Sequence, residues 1–193
     1  MQLAILSDIH DNVWNLNRAL EASAGCDALL CCGDLCSPFI VNLMAEGFGG
    51  PIHIVFGNND GDRFHMAEIA ANYEGRVKLH GEFADLPAEE FGIRIAVNHY
   101  PDIAASIAAS GQYGLVCYGH DHRLFHRIKK GGTSILNPGT VMGYDARAGQ
   151  DVAATFVTLD TETMEGYILE IGRKNEMAMW PIGGTEDSKE ATE

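Results

Sequence analysis

Short apolar runs alternate with helical periodicity in the first half of the chain. The run QLAIL at 2–6 is almost entirely apolar, which is typical of a strand buried on both faces. After it, Val13, Leu16 and Leu20 recur at helical spacing. The alternation continues with predicted strands at 28–32 and 52–56 and predicted helices at 38–47 and 62–73. This order predicts parallel βαβ units with right-handed crossovers.

Strand-like segments dominate the second half, with one predicted helix between Asp102 and Ser110. The predicted strands lie at 93–99, 114–118, 124–128, 133–136, 152–159 and 165–171. We therefore expect an α/β fold with two packed mixed sheets, formed by a single domain over residues 1–182. The segment 183–193 is polar, acidic and led by glycine, and we expect it to be disordered.

The charge balance limits the classes of partner. The formal net charge is −14 with only 13 Lys and Arg residues, so a nucleic acid is not expected as the main partner. No signal-peptide pattern begins the chain and no apolar run is long enough to cross a bilayer, so we expect a cytoplasmic protein without a membrane partner. The 5 cysteines form no CxxC pair, which favours reduced, buried thiols over a thiolate metal site.

Chelating side chains follow five predicted strands in succession. In α/β sheets, functional groups collect beyond the carboxyl ends of the strands. The residues at those ends are Asp8 and His10, Asp34, the run Asn58, Asn59 and Asp60, His99, and the pair His120 and His122. Each fragment alone has an ordinary structural interpretation: Asp34 could cap a helix or turn, Asn58 could form a turn, and the two histidines could be surface residues. Their joint occurrence favours a metal site.

The residue types indicate which ions such a site would take. A set of His, Asp and Asn without Cys suits borderline to hard divalent metals and argues against a structural thiolate zinc site. The set is too large for one tetrahedral ion and fits two ions that share a carboxylate. Two-metal sites serve hydrolytic phosphoryl chemistry. The motifs of serine hydrolases, P-loop NTPases and dehydrogenases are absent from the sequence.

The ordered set D-x-H, G-D, G-N-x-D, H and G-H-x-H resembles the calcineurin-like metallophosphoesterase superfamily. The runs SDIHDN at 7–12 and NPGT at 137–140 are similar to its small branch, the YfcE-type phosphodiesterases. The resemblance covers the chain from Leu3 to Leu169. It implies a four-layer α/β/β/α sandwich with two mixed sheets, the metallophosphoesterase fold.

The resemblance also implies a ligand set and a reaction. By that similarity Asp8, His10 and His122 would hold one ion. Asn58, His99 and His120 would hold the other, and Asp34 would bridge both. Manganese is the expected ion, with Fe, Ni, Co and Zn as alternatives. A metal-bridged hydroxide would then attack phosphorus in a phosphodiester or an activated phosphomonoester.

Asn58, Asn59, Asp60 and His99 are the expected catalytic residues. Asn58 and Asn59 would bind phosphoryl oxygens, and Asp60 would either orient a metal-bound imidazole or simply form a turn. Many superfamily phosphatases have a histidine where this chain has Asn59, so we expect a preference for esters with low-pKa leaving groups. Arg147 could clamp a phosphate or be an ordinary exposed arginine, and the same two alternatives, a substrate contact or an exposed loop residue, apply to Tyr144. Asp121 has no evident role.

Three further matters stay open at this point. The remaining histidines, which are His53, His65, His80 and His126, lie within predicted strands or helices and are interpreted as structural. A non-catalytic scaffold for protein binding, like the retromer subunit of this fold, and a phosphatase of a small nucleotide or sugar phosphate are the alternative functions. The expected partner is a small phosphoester substrate, and assembly into a homo-oligomer is left open.

Overall fold

The computed structural model describes residues 1–172 and 176–183, which form two β-sheets packed face to face. The larger, seven-stranded sheet consists of β1 (Gln2–Leu6), β2 (Ala28–Cys31), β3 (Ile52–Ile54), β4 (Val77–Leu79), β12 (Thr155–Asp160), β13 (Gly166–Ile171) and β14 (Met177–Ile182). The five-stranded sheet consists of β5 (Phe83–Leu86), β6 (Ile95–Asn98), β7 (Leu115–Cys117), β8 (Leu124–Arg127) and β9 (Ser134–Pro138). A separate hairpin joins β10 (Tyr144–Asp145) to β11 (Gln150–Asp151).

The strand order confirms the mixed sheets. The larger sheet runs β14-β13-β12-β1-β2-β3-β4, with β1 to β4 parallel and β12 antiparallel to β1. The smaller sheet runs β5-β6-β7-β9-β8, in which β6, β7 and β9 are parallel. The carboxyl ends of the parallel strands within each sheet therefore lie at one edge of that sheet.

Helices cover the outer faces of both sheets. They are α1 (Val13–Ala22), α2 (Phe39–Gly47), α3 (Arg63–Ala71) and α5 (Pro101–Ala109). The single turn α4 (Ala88–Phe91) instead contributes Phe91 to the core between the sheets. Asn12 caps α1 because its side chain accepts a hydrogen bond from the N–H of Asn15, and Asp62 caps α3 in the same way through His65. Among the described residues, no helix is long and apolar enough to cross a membrane.

The period-2 alternation of β1 explains the layering. Ala4 and Leu6 pack against α1 and α2, whereas Leu3 and Ile5 belong to the core between the two sheets. A third cluster places Ala104 of α5 against the outer face of the smaller sheet. The layers are therefore α/β/β/α, and the expected four-layer sandwich is confirmed.

Some elements were not predicted from the sequence. β14 pairs along its whole length with β13, but Gly172 and the polar residues after it hid the hairpin. β5 and the β10–β11 hairpin are too short to produce a clear periodicity. Of the segment expected to be disordered, residues 184–193 lie outside the described residues.

Candidate metal centre

The strand ends bring the chelating residues together. Asp8 and His10 follow β1, and Asp34 follows β2. His99 follows β6 directly, and His120 and His122 follow β7. The parallel strands of each sheet end at one edge, and the two sheets are packed face to face, so these side chains meet across the junction.

The first group consists of Asp8, His10 and His122, whose ligand atoms lie within 4.8 Å of one another. The Nε2 atoms of the two histidines are 3.1 Å apart. Asp8 Oδ1 lies 3.3 Å from Nε2 of His122 and 3.8 Å from Nε2 of His10. Three possible donor atoms thus lie close together, and they belong to the residues that the family resemblance implies for one ion.

The second group adjoins the first through Asp34. Its Oδ2 lies 3.4 Å from Nε2 of His99 and 3.6 Å from Nε2 of His10, so the carboxylate faces both groups. His120 Nδ1 lies 3.3 Å from His99 Nε2 and 2.9 Å from the side-chain oxygen of Asn58. Asp8, Asp34 and His99 also form a compact set with their ligand atoms within 4.8 Å.

Backbone carbonyls set the orientation of two imidazoles. His99 Nδ1 donates to the carbonyl of Cys32 over 2.8 Å, and His122 Nδ1 donates to the carbonyl of Tyr144 over 2.7 Å. A carbonyl only accepts, so Nδ1 carries a proton in both rings, and in the neutral form of each ring Nε2 presents its lone pair to the cluster. This is the arrangement by which proteins hold metal-ligating histidines.

The cluster contains ionised carboxylates that water cannot reach. Asp8 is fully buried and Asp34 is 2% exposed. Burial by itself would raise the pKa of the Asp8 carboxyl, but the neighbouring imidazoles of His10 and His122 hold that pKa well below its usual range. The pKa of Asp34 is likewise lowered, against the effect of burial, by its hydrogen bond with His99.

The imidazoles respond in the opposite direction. Burial lowers the pKa of His99, but its hydrogen bond with Asp34 and the charges of Asp8 and Asp34 raise that pKa overall. The same balance raises the pKa of His122 through Asp8. Without another cation, protons on these rings offset the buried negative charge. Divalent ions could replace those protons, so the donor set and its charge fit a metal centre.

The backbone at these residues is unusual. Asp8, His10, Asp34, His120 and His122 all have left-handed φ values, between 44° and 78°. For residues other than glycine such a conformation costs about 1–3 kcal/mol and persists only where surrounding contacts fix it. Its concentration at the strand ends turns the side chains toward one another. The sequence showed the residues but not this geometry.

Two glycines leave the room that the cluster occupies. A Cβ on Gly57 would collide with the carboxylate of Asp34 and lie 2.8 Å from the ring of His99. A Cβ on Gly119 would collide with the Ser7 hydroxyl and lie 2.6 Å from Oδ2 of Asp8. The glycine in the runs GN and GH is therefore a steric requirement of the site.

Asp60 has a different position from the one expected of an imidazole partner. Its carboxylate accepts hydrogen bonds from four backbone N–H groups, which belong to Asp34, Leu35, Cys36 and Gly57. These bonds tie the loop after β2 to the loop after β3. These contacts support the loop-forming interpretation of Asp60.

Asn59 also differs from expectation. Its backbone N–H and its side-chain amide each donate to Asp34 over 2.8 Å. One N–H of the amide therefore orients a buried carboxylate. Asn58 is exposed beside it, and its contact is with His120.

The role of Asp121 becomes clear through a residue that sequence reasoning missed. Asn137, in the run NPGT, donates its amide to Oδ1 of Asp121 over 2.7 Å and to the carbonyl of Gly119 over 3.1 Å. Asp121 thus ties the His120–His122 turn to Asn137. Burial raises the pKa of its carboxyl. The signal that could have identified Asn137 was its place directly after the predicted strand at 133–136.

The chain was compared with known proteins. Residues 1–164 match the family model of the calcineurin-like phosphoesterase superfamily domain. Phosphodiesterase MJ0936 of Methanocaldococcus jannaschii is 28% identical over 147 residues, which cover 75% of this chain and 86% of that protein.

Two solved structures share the fold. That of an archaeal phosphodiesterase superposes with a TM-score of 0.73 at 24% identity, covering 94% of this chain and all of that one. That of the Vps29 single mutant D62A from Entamoeba histolytica gives a TM-score of 0.68 at 17% identity, covering 94% of this chain and 98% of that one. These identities indicate a common fold, and the match over residues 1–164 carries the assignment. The chain belongs to the calcineurin-like phosphoesterase superfamily.

Proposed function

We infer that this chain is a two-metal phosphoesterase that hydrolyses phosphodiesters or activated phosphomonoesters. The observation that carries this inference is the position of Asp34. Its buried carboxylate faces His10 on one side and His99 on the other, at 3.6 and 3.4 Å. One shared carboxylate between two groups of imidazoles is what a pair of ions requires.

The chain's residues divide between the two ions as follows. Asp8, His10 and His122 would hold one ion, Asn58, His99 and His120 would hold the other, and Asp34 would contact both. Manganese is the proposed ion, with Fe, Ni, Co or Zn as alternatives for these nitrogen and oxygen donors. When bound, the ions would polarise a phosphoryl oxygen and lower the pKa of a coordinated water to about 7.

Charge explains how an acidic chain could attract a phosphoester. Two divalent ions contribute +4 and the carboxylates of Asp8 and Asp34 contribute −2, which leaves a local charge of about +2. The chain as a whole carries −14. A phosphoester anion is thus drawn to the cluster and repelled elsewhere, which favours a small substrate over a long polyanion.

The chain's own residues position the reacting groups. The carbonyls of Cys32 and Tyr144 fix the rings of His99 and His122, and Asn59 fixes Asp34, so the ligands need little reorganisation. Asn58 is exposed at the rim of the cluster, and its amide N–H₂ is the group that could donate to a phosphoryl oxygen.

Asn59 has no proton to give to a leaving group, because an amide is not an acid and its N–H₂ is bonded to Asp34. We therefore expect aryl esters to be hydrolysed about 100-fold faster than alkyl esters of the same charge. Asn59→His, assayed on both classes, should narrow that ratio. Equal rates on aryl and alkyl esters in the wild type would contradict this prediction.

A scaffold that binds proteins is the second candidate, and the similarity to Vps29 favours it. A scaffold has no chemical need for a buried carboxylate between two sets of imidazoles, so the cluster supports the enzyme. The experiment is metal analysis followed by turnover of bis(p-nitrophenyl) phosphate and p-nitrophenyl phosphate with added Mn. The exposed His65→Ala serves as a control that should retain both properties. A wild type without bound metal or turnover would favour the scaffold.

A further inference from the structure

The β10–β11 hairpin touches both histidines of the YGHDH run. The carbonyl of Tyr144 accepts from His122 Nδ1 over 2.7 Å. Arg147, in the turn of the same hairpin, places Nη2 2.9 Å from Nε2 of His120. A guanidinium therefore contacts a proposed metal ligand although the rest of its side chain is exposed.

The turn that carries Arg147 is held by its own hydrogen bonds. Oδ1 of Asp145 accepts from the backbone N–H of Arg147 over 2.9 Å and of Ala148 over 3.1 Å. The N–H of Gly149 donates to the carbonyl of Asp145 over 2.8 Å. These bonds fix the backbone of the turn and leave the long side chain of Arg147 to move.

The bond between Arg147 and His120 depends on the state of the imidazole. A guanidinium only donates, so Nε2 of His120 must carry the lone pair and Nδ1 the proton. The 2.9 Å contact of Nδ1 with the side-chain oxygen of Asn58 agrees with that tautomer. A ring that gave its Nδ1 lone pair to an ion would carry its proton on Nε2. Arg147 and Nε2 would then both be donors, and their bond would be lost.

We propose that Arg147 is a phosphate-binding residue that lies on His120 in the metal-free chain and turns to the phosphoryl group of the substrate in the metal-loaded chain. This inference rests on the proposed function of the same site. It makes Arg147 a specificity-determining residue: a guanidinium offers two parallel donors to phosphoryl oxygens, and its charge acts more strongly on a phosphomonoester dianion than on a phosphodiester monoanion.

Another arginine near the cluster is less suited to this task. Arg63 donates through Nη2 to the carbonyl of Gly57 over 2.8 Å and pairs through Nη1 with Glu82. Its guanidinium also lies over the ring of Phe56. Binding a substrate would break these contacts, whereas Arg147 gives up only a bond that metal loading already removes.

The test compares Arg147→Gln, Arg147→Lys and the control Arg127→Gln, which removes the same charge from an exposed position on β8. Binding of inorganic phosphate to Mn-loaded protein is measured by calorimetry, with Mn content and thermal midpoint determined on the same preparations. We expect Arg147→Gln to weaken phosphate binding about tenfold, as for loss of a hydrogen bond to a charged group. Arg147→Lys should recover part of that loss, and Arg127→Gln should match the wild type.

Two further readouts separate phosphate binding from a structural role. Mn content and thermal midpoint should stay unchanged in Arg147→Gln, because Arg147 does not hold His120 in the loaded state. KM for p-nitrophenyl phosphate should rise more than KM for bis(p-nitrophenyl) phosphate. The inference would be overturned if Arg147→Gln bound phosphate as tightly as the wild type, or if its phosphate affinity fell only because it had lost Mn. Turnover by the wild type would still uphold the proposed function in either case. Weakened phosphate binding by Arg147→Gln, with no turnover by the wild type, would uphold phosphate binding by Arg147 and contradict the proposed function.

Discussion

Two groups of buried histidines in this molecule behave in opposite ways. At the candidate metal centre His99 faces the carboxylates of Asp34 and Asp8, and its pKa is raised in spite of burial. On β3, His53 is equally buried, but its ring stacks on His80 and packs edge-on against Phe91. Burial and the neighbouring charges of His80 and Lys78 lower the pKa of His53 to about 4.

The comparison shows that two imidazoles in close contact, such as those of His53 and His80, are not enough to form a candidate metal site. His53 Nδ1 lies 3.0 Å from His80 Nε2, which is as close as any pair in the centre. Its Nε2 has no hydrogen-bond partner among the described residues. At His53 and His80, burial and the charge of Lys78 outweigh the carboxylate of Glu90 and lower the pKa of both rings. At the cluster, Asp8 and Asp34 outweigh burial and raise the pKa of His99 and His122.

Removing the shared carboxylate should have the largest effect. Asp34→Asn leaves the imidazoles of His10 and His99 without their common anion. We expect turnover to fall about 10³-fold, which corresponds to about 4 kcal/mol and is typical of breaking a buried charge pair. The measurement is kcat/KM for bis(p-nitrophenyl) phosphate, with circular dichroism as the check on folding. A folded variant that retained a tenth of the activity would show that Asp34 is not shared.

Crowding the centre should have the next largest effect. A methyl group at Gly119 would displace Ser7 and Asp8, so Gly119→Ala should lower kcat/KM about 100-fold, as misplacement of reacting groups does. Gly25→Ala is the matched control, because a Cβ there meets nothing within 4 Å. Equal activity of Gly119→Ala and Gly25→Ala would contradict the claim that the site requires glycine at position 119.

Substitution of His53, which stacks on His80, should change stability and leave catalysis unchanged. An unfolded chain protonates His53 near pH 6.5, whereas the folded chain resists until about pH 4. The unfolded state binds more protons between these values, so stability falls as pH falls through that window and levels off below it. Allowing for solvent screening, we expect a loss of about 2 kcal/mol.

His53→Leu should abolish that part of the acid sensitivity. The measurement is urea unfolding of both proteins at pH 7 and pH 4, because contributions from the metal centre cancel in the difference. His80, Lys78 and Glu90 surround the pair and stay in place in both proteins. Identical pH dependence in wild type and variant would mean that His53 is not the group responsible.

The smallest expected effect concerns Asp121, which lies between His120 and His122. Asp121→Ala removes the acceptor of the Asn137 amide, which retains its bond to Gly119. We expect a stability loss of about 1 kcal/mol, the usual contribution of one such bond, with only a few-fold loss of activity. Chemical unfolding and steady-state kinetics check it. A loss of activity as large as that of Asp34→Asn would place Asp121 among the residues that act on the substrate.

Much of the fold could be predicted because its signals are local. Apolar runs and helical spacing located β1, β2, β3 and the helices between them, and the polar strand ends located Asp8, Asp34 and His99. β14 could not be predicted, because its sequence MAMWPI lacks the alternation of apolar and polar residues that marks a strand with one buried face. Its pairing with β13 is a tertiary contact that no local pattern encodes.

Within the centre, residue types were predictable and their contacts were not. Asp60 and Asn59 have the same composition signal as ligands, and only the folded loops show that they bind backbone N–H groups and Asp34 instead. The contact of Arg147 with His120 joins a β-turn to a strand end 27 residues away, and no periodicity encodes it.

Metal stoichiometry tests the central claim most directly. Wild type, Asp34→Asn and His53→Leu would each be equilibrated with Mn, freed of unbound ion and analysed for Mn per chain. The account predicts two ions in the wild type, two in His53→Leu and fewer than two in Asp34→Asn. The account would be contradicted by a wild type that binds neither Mn nor any of the alternative ions. An Asp34→Asn variant that still holds two ions would contradict it as well.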